Sequence, residues 1–260
     1  MMTNKSGTWF PGATPRKQVG LKLFCLPYAG GTASVYRNWV EVLASTVQVI
    51  PVELPGRGAR SKEPPFLGLP RLVEVLAEAM LPLLDSPFAF FGHSMGAVIA
   101  FELARYLRRR QFPEPQALLV SGRRAPQTDP EPVTYNLPKD EFVNELGKLG
   151  GTPKEVLEHA ELMELMIPLL RADFQLVQTY EYYAEPPLRC PIAVYGGLQD
   201  PDITRDLLQP WEVHTISDFT LRMLPGDHFF VRSSESVLLG FLARDLSRIT
   251  SRSRVSSPRT

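Results

Sequence analysis

A chain of 260 residues has room for one α/β domain with an insertion and a large core. Its 28 lysines and arginines balance 28 aspartates and glutamates, which argues against nucleic acid or an anionic membrane held by a global field. Its two cysteines, Cys25 and Cys190, lie in apolar strand-like runs, a usage that suits a reducing compartment and offers no metal-site spacing.

The first twenty residues lack the apolar core of a signal peptide and no run is long enough to span a membrane, so a soluble cytoplasmic protein is expected. Residues 1–19 are polar and rich in glycine and proline, the composition of a flexible arm. Leu21 to Leu26 is a strand candidate closed by Pro27-Tyr28-Ala29-Gly30-Gly31, and Tyr36, Trp39, Val40 and Leu43 then repeat at helical spacing. Val47 to Val52 is a second buried strand, running into the turn-rich loop Glu53-Leu54-Pro55-Gly56-Arg57-Gly58. Leu69, Leu72, Val73, Leu76, Met80 and Leu83 mark one face of an amphipathic helix.

From Phe88 to Arg109 the chain reads as strand, turn and helix. Phe88 to Phe91 is apolar, Gly92-His93-Ser94-Met95-Gly96 follows, and Ala97, Phe101, Ala104 and Leu107 share a helix face. A Gly-x-Ser-x-Gly turn between strand and helix is a nucleophile elbow, which lifts a serine hydroxyl above the sheet on a strained backbone. The cluster Arg108-Arg109-Arg110 falls at the helix C-terminus, where cations suit the dipole. Ala117 to Val120 is the next strand, followed by Ser121-Gly122-Arg123-Arg124-Ala125-Pro126.

Strands alternating with helices predict a parallel sheet covered on both faces. After residue 126 the alternation stops. Pro138 to Leu149 and Pro153 to Tyr183 have helical patterns, the second kinked or broken at Pro168. The expected organisation is a discontinuous core of residues 20–125 and 190–248, a helical insertion over 126–189 placed to act as a lid, and a flexible serine- and arginine-rich tail over 249–260. The apolar stripes of the insertion either pack on the core or line an acyl pocket. The sheet resumes at Pro191 to Tyr195, before Gly196-Gly197-Leu198-Gln199-Asp200. A helix bearing Leu207, Leu208 and Trp211 leads to the last strand, Phe219 to Leu224, and to Pro225-Gly226-Asp227-His228-Phe229-Phe230; Val237 to Leu246 closes the fold as a helix.

A serine hydroxyl needs a base, and the base an orienting acid. Of four histidines, His93 adjoins Ser94 and cannot fold back onto it, His159 lies in the helical insertion, and His214 sits in a polar connector. His228 follows the last strand at the sheet edge where the elbow opens, and is the expected base. Asp200 follows its own strand at that edge and is the expected acid, with Asp202 its rival; Asp227 is too near His228 in sequence. The order Ser94, Asp200, His228 is that of α/β-hydrolases. Two backbone donors are expected to receive the oxyanion, the Met95 N–H and one from the loop after the first strand, Ala29 or alternatively Tyr28.

The set Pro27-Tyr28-Ala29-Gly30-Gly31, Leu54-Pro55-Gly56-Arg57, Gly92-His93-Ser94-Met95-Gly96, Ser121-Gly122-Arg123-Arg124-Ala125-Pro126 and Pro225-Gly226-Asp227-His228-Phe229 resembles the type II thioesterases of polyketide and nonribosomal-peptide synthesis. The resemblance runs from Leu21 to Leu246. It implies an α/β-hydrolase fold and hydrolysis of acyl thioesters on the phosphopantetheine arm of acyl or peptidyl carrier proteins. It also implies that the helical insertion is a mobile lid, while an acyl-enzyme on Ser94, no resident cofactor or metal, and a monomer are expected besides. An acidic carrier calls for a cationic entrance, for which Arg57, Arg123 and Arg124, beside Tyr28, are the candidates. Medium-chain fatty-acyl thioesterase, carboxylesterase, acyltransferase and a non-catalytic binding protein on the same fold are the alternatives.

Overall fold

A computed structural model describes residues 9–12, 20–129, 132–151 and 154–255. Six strands, β1 (Lys22–Leu26), β2 (Gln48–Pro51), β3 (Phe88–His93), β4 (Leu118–Ser121), β5 (Ile192–Gly197) and β6 (Phe219–Leu224), form one sheet in the order β2-β1-β3-β4-β5-β6. Every pairing is parallel. All strands therefore end at one edge, where open α/β sheets collect their functional loops. The register Leu26↔Gly92 and Ser121↔His93 brings the ends of β1 and β4 alongside the turn that follows β3.

Both sheet faces are buried, which is why β3 is an uninterrupted run of buried residues. On one face, Phe24, Phe90, Leu118 and Val194 pack with Leu72 and Leu76 of α2 (Leu69–Met80) and with Val98 and Phe101 of α3 (Met95–Arg109). On the other, Leu23, Phe91, Leu119 and Tyr195 meet Trp39 of α1 (Arg37–Val42) and Leu238, Leu242 and Leu246 of α6 (Glu235–Val255).

Between β4 and β5 stand two longer helices, α4 (Lys139–Leu149) and α5 (Ala160–Gln178). They share an apolar cluster of their own, Phe142, Leu146, Met163, Ile167 and Leu170. The break expected at Pro168 is absent, because α5 runs through that residue. A proline removes one helical hydrogen bond, and here the flanking Ile167 and Leu170 are packed against α4, so burial outweighs the loss. The interruption falls earlier, at His159, whose Nδ1 accepts the Leu162 N–H at 3.4 Å as the N-cap of α5. Beyond α5 the chain continues without helix, and Glu185 pairs with Arg105, Arg108 and Arg109 of α3. Two arginines of the cluster thus tie a connector down.

The ends differ from expectation where they are described. Trp9 and Phe10 are buried in the core, with the Arg60 guanidinium 3.7 Å over the Trp9 ring, so this part of the 1–19 arm is docked. At the other end α6 continues to Val255, past the expected start of the tail at 249. No glycine or proline interrupts the chain between Gly240 and Pro258 to stop it. The remaining tail residues lie outside those described.

Candidate active site

Ser94 stands where β3 meets α3, at φ 53° and ψ −114°, a conformation that side-chain-bearing residues avoid. The surroundings enforce it. Its N–H donates to the Ser121 carbonyl of β4 at 2.8 Å. A Cβ at Gly92 would lie 2.1 Å from the Gly96 carbonyl oxygen, and one at Gly96 would lie 2.1 Å from that of Leu26, so only glycine fits either position. Ser94 lies partly exposed in a cavity of about 440 Å³ that His228, Tyr28, Ala29 and Met95 also line.

His228, in the loop after β6, places Nδ1 2.7 Å from Asp200 Oδ2. The other carboxylate oxygen of Asp200 accepts the N–H groups of Asp202 and Ile203, each at 3.0 Å. Burial pushes the Asp200 carboxyl up, but the His228 hydrogen bond and charge and the two backbone donors outweigh it and hold the group below its ordinary value. Asp202 is exposed and meets Asp200 only through its backbone, while an Asp227 carboxylate oxygen accepts the Phe229 N–H. Of Asp200, Asp202 and Asp227, it is Asp200 that faces the imidazole.

The other histidines sit elsewhere. His93 is fully buried, with Nδ1 2.8 Å from Ser121 Oγ and its ring 5.3 Å from that of His228. Burial, and then the charge of His228, hold it well below its ordinary pKa. His159 is an exposed helix cap. His214, though its connector is polar in sequence, is buried: its Nε2 lies 2.6 Å from Gln127 Oε1, and its ring meets Phe101, Trp211 and Tyr182.

In the loop after β1, the Gly30 N–H donates to Asp173 Oδ2 at 2.7 Å and the Gly31 N–H to the Tyr28 carbonyl at 2.9 Å. Gly30 has φ +73°, and a Cβ there would lie 2.7 Å from Leu170 Cδ2 of α5. The Tyr28 ring packs edge-on against Phe229, centroids 5.1 Å apart. Arg57, expected at a cationic entrance, is instead buried and joined to Asp173 through Nη2–Oδ1 at 2.7 Å and Nη1–Oδ2 at 2.8 Å. A cation enclosed by a carboxylate cannot offer itself to a carrier. Arg123 and Arg124 do line the cavity and are half-buried; Arg124 also donates to the Asp129 and Asp202 carbonyls, each at 3.3 Å.

The two helices add a mostly apolar wall to the cavity, through Leu146 and Leu149 of α4 and Met166, Leu170, Phe174 and Val177 of α5, with Glu145, Asp173 and Gln178 among them. Asp173 was missed from the sequence. An acid on the same face as Leu169, Leu170, Leu176 and Val177 was the signal that could have found it. Among the described residues no group of three or more His, Cys, Asp or Glu side chains is disposed to hold a metal, and no helix is long and apolar enough to cross a membrane.

The thioesterase domain family matches residues 21–246. The chain belongs to this family. The thioesterase is 42% identical over 239 residues to the gramicidin S biosynthesis protein GrsT of Aneurinibacillus migulanus, covering 92% of this chain and 93% of the relative. It is 43% identical over 242 residues to a protein named linear gramicidin dehydrogenase LgrE, of Brevibacillus parabrevis, covering 92% of each. Among solved structures, the type II thioesterase BorB from the borrelidin biosynthetic cluster is 36% identical with a TM-score of 0.83, over 92% of this chain and 98% of BorB. The thioesterase shares the α/β-hydrolase fold of that structure, built on its parallel six-stranded sheet.

Proposed function

We propose that this thioesterase is a type II editing enzyme of an assembly-line synthase, which removes acyl groups from the phosphopantetheine arm of acyl or peptidyl carrier proteins. The observation that carries the reading is the convergence of Ser94 and the His228–Asp200 pair on one largely apolar cavity. Ser94 Oγ attacks the thioester carbonyl carbon while His228 Nε2 takes the hydroxyl proton. Asp200 accepts the Nδ1–H and remains ionised, fixing the tautomer. The carbonyl oxygen becomes an oxyanion between the N–H groups of Met95 and Ala29. Ala29 is favoured over its glycine neighbours because both of theirs are already engaged. The C–S bond breaks, the phosphopantetheine thiol leaves with the proton from His228, and the acyl group stays on Ser94. Water, deprotonated by His228, attacks the acyl-enzyme; collapse releases the carboxylic acid and returns the proton to Ser94.

In this reading α4 and α5 form the lid over a discontinuous core, and the apolar wall they supply receives the acyl chain. The reactions use side chains and backbone groups of the chain alone, in a cytoplasmic enzyme. Arg123 and Arg124 are the cations that would meet an acidic carrier. The dehydrogenase name of LgrE is not carried over, because the turn after β1 is Pro27-Tyr28-Ala29-Gly30-Gly31 rather than a Gly-x-Gly-x-x-Gly dinucleotide fingerprint.

The test is a substrate panel of acyl-carrier thioesters, free acyl thioesters and simple oxygen esters, assayed with the wild type and Ser94→Ala. Carrier thioesters should be the best substrates, and the variant should lose activity by about a million-fold, as nucleophile removal does in serine hydrolases. Activity that survives Ser94→Ala, or a preference for oxygen esters, overturns the proposal.

A further inference from the structure

We propose that Asp173, held by Arg57, is a positioning residue that aims the Ala29 N–H at the oxyanion; this rests on the serine-hydrolase reading above. Both side chains are 3% exposed. Asp173 Oδ2 accepts from the Gly30 N–H as well as from Arg57, so this pair also grips a peptide group of the loop after β1. Arg57 Nη1 donates in addition to the Gly31 carbonyl at 3.2 Å, which fixes the next residue of the same loop. The Gly31 N–H in turn holds the Tyr28 carbonyl. That carbonyl belongs to the same planar peptide as the Ala29 N–H, and in a trans peptide the two point in opposite directions. Fixing Gly30 and Gly31 therefore fixes the direction of the Ala29 donor.

The packing of α5 completes the grip. Leu170 leaves no room for a Cβ at Gly30, and a Cβ at Gly56 would lie 3.1 Å from Leu169 Cδ1. Three residues of one helix, Leu169, Leu170 and Asp173, thus bear on the two loops that follow β1 and β2. A buried ion pair is weak grounds for stability, since apolar residues of similar volume often serve as well. What an apolar pair cannot supply is an acceptor for the Gly30 N–H. An oxyanion donor that swings out of line loses most of its benefit, and losing one donor outright slows turnover by about 100- to 1000-fold.

The deciding experiment replaces the pair with Arg57→Met/Asp173→Leu, which keeps volume and removes the acceptor. The expected result is a folded protein whose kcat falls by about ten- to a hundred-fold with KM little changed, a partial version of losing a donor. Affinity for a trifluoromethyl ketone, whose tetrahedral adduct on Ser94 presents an oxyanion, should fall by the same factor. Affinity for a non-hydrolysable acyl thioether should hold. Arg57→Met/Asp173→Asn restores an amide oxygen for the Gly30 N–H without leaving a buried cation unpaired and should recover most of the lost kcat; it also stands in if the first double variant does not fold, by showing a smaller loss with the same split. Wild-type kcat in the first double variant overturns the proposal. Parallel loss of ketone and thioether affinity does so too, since it marks general distortion. Failure of the underlying reading looks different: a fluorophosphonate would then leave Ser94 unlabelled in the wild type itself.

Discussion

Asp200 and Asp202 stand two positions apart, yet the backbone N–H of one serves the carboxylate of the other, and this division leaves the Asp200 carboxylate facing His228. Asp200→Asn should leave the fold intact and present the imidazole with the wrong partner, costing about ten-thousand-fold in kcat by analogy with serine proteases. Asp202→Asn keeps its N–H and should cost little. Steady-state rates of the two variants on one thioester decide between them, and the reverse pattern would reassign the acid. His159→Ala should leave turnover unchanged. That Asp200 and His228 meet was legible because each follows its own strand, and parallel strands deliver their ends to one edge. Arg57 was misplaced for a reason of the same kind. Sequence places it in an edge loop, but its burial depends on a carboxylate 116 positions away, on a helix whose docking no local pattern specifies.

At the scale of elements, local periodicity was a good guide to the sheet and to the helices on it, since burial on both faces leaves long apolar runs. It gave no break at Pro168, where a propensity that interrupts isolated helices yields to packing against α4. His214 shows a packing effect with a measurable consequence. It joins the connector before β6 to Phe101 of α3, and burial, then the nearby Arg105 charge, push its pKa down to about 4. In the unfolded chain the ordinary value is about 6.5, so below that pH the unfolded state takes up a proton that the folded state refuses. The contribution is therefore whole above about pH 6.5, declines as pH falls, and levels off once the folded group also protonates, near pH 4. His214→Phe should lower the urea midpoint at pH 8 and flatten its decline between pH 6.5 and 4.5. A decline as steep as that of the wild type would show that other groups carry it.

At the scale of the molecule the proposed task is discrimination between a carrier-bound acyl group and a free one. Arg123 and Arg124 follow β4 and line the cavity, so they stand at the edge a carrier would approach. Neutralising either should reduce kcat/KM for carrier thioesters far more than for a small free thioester. Raised salt should erode the same preference in the wild type, though only in part, because charges are screened over about 8 Å at physiological ionic strength and half-buried ones less than exposed ones. Equal losses on both substrates would mean that the arginines support the catalytic edge itself.

The sheet order has a consequence for how activity appears as the chain folds. The strands β2, β1, β3 and β4 all lie within the first 121 residues and can pair as soon as these emerge, carrying Ser94, Met95 and Ala29. β5 and β6, which position Asp200 and His228, must wait for the whole of α4 and α5 to be made, and they pair only with β4 and with each other. A nascent chain can therefore hold Ser94 in its turn with neither Asp200 nor His228 beside it for as long as the second half is missing. In the proposed mechanism, ordering of β5 and β6 is then the step that brings the acid and base to the serine, and non-local pairing of this kind is intrinsically slow. On refolding, sheet signal should return before esterolytic activity, with the delay set by the long crossover rather than by the elbow.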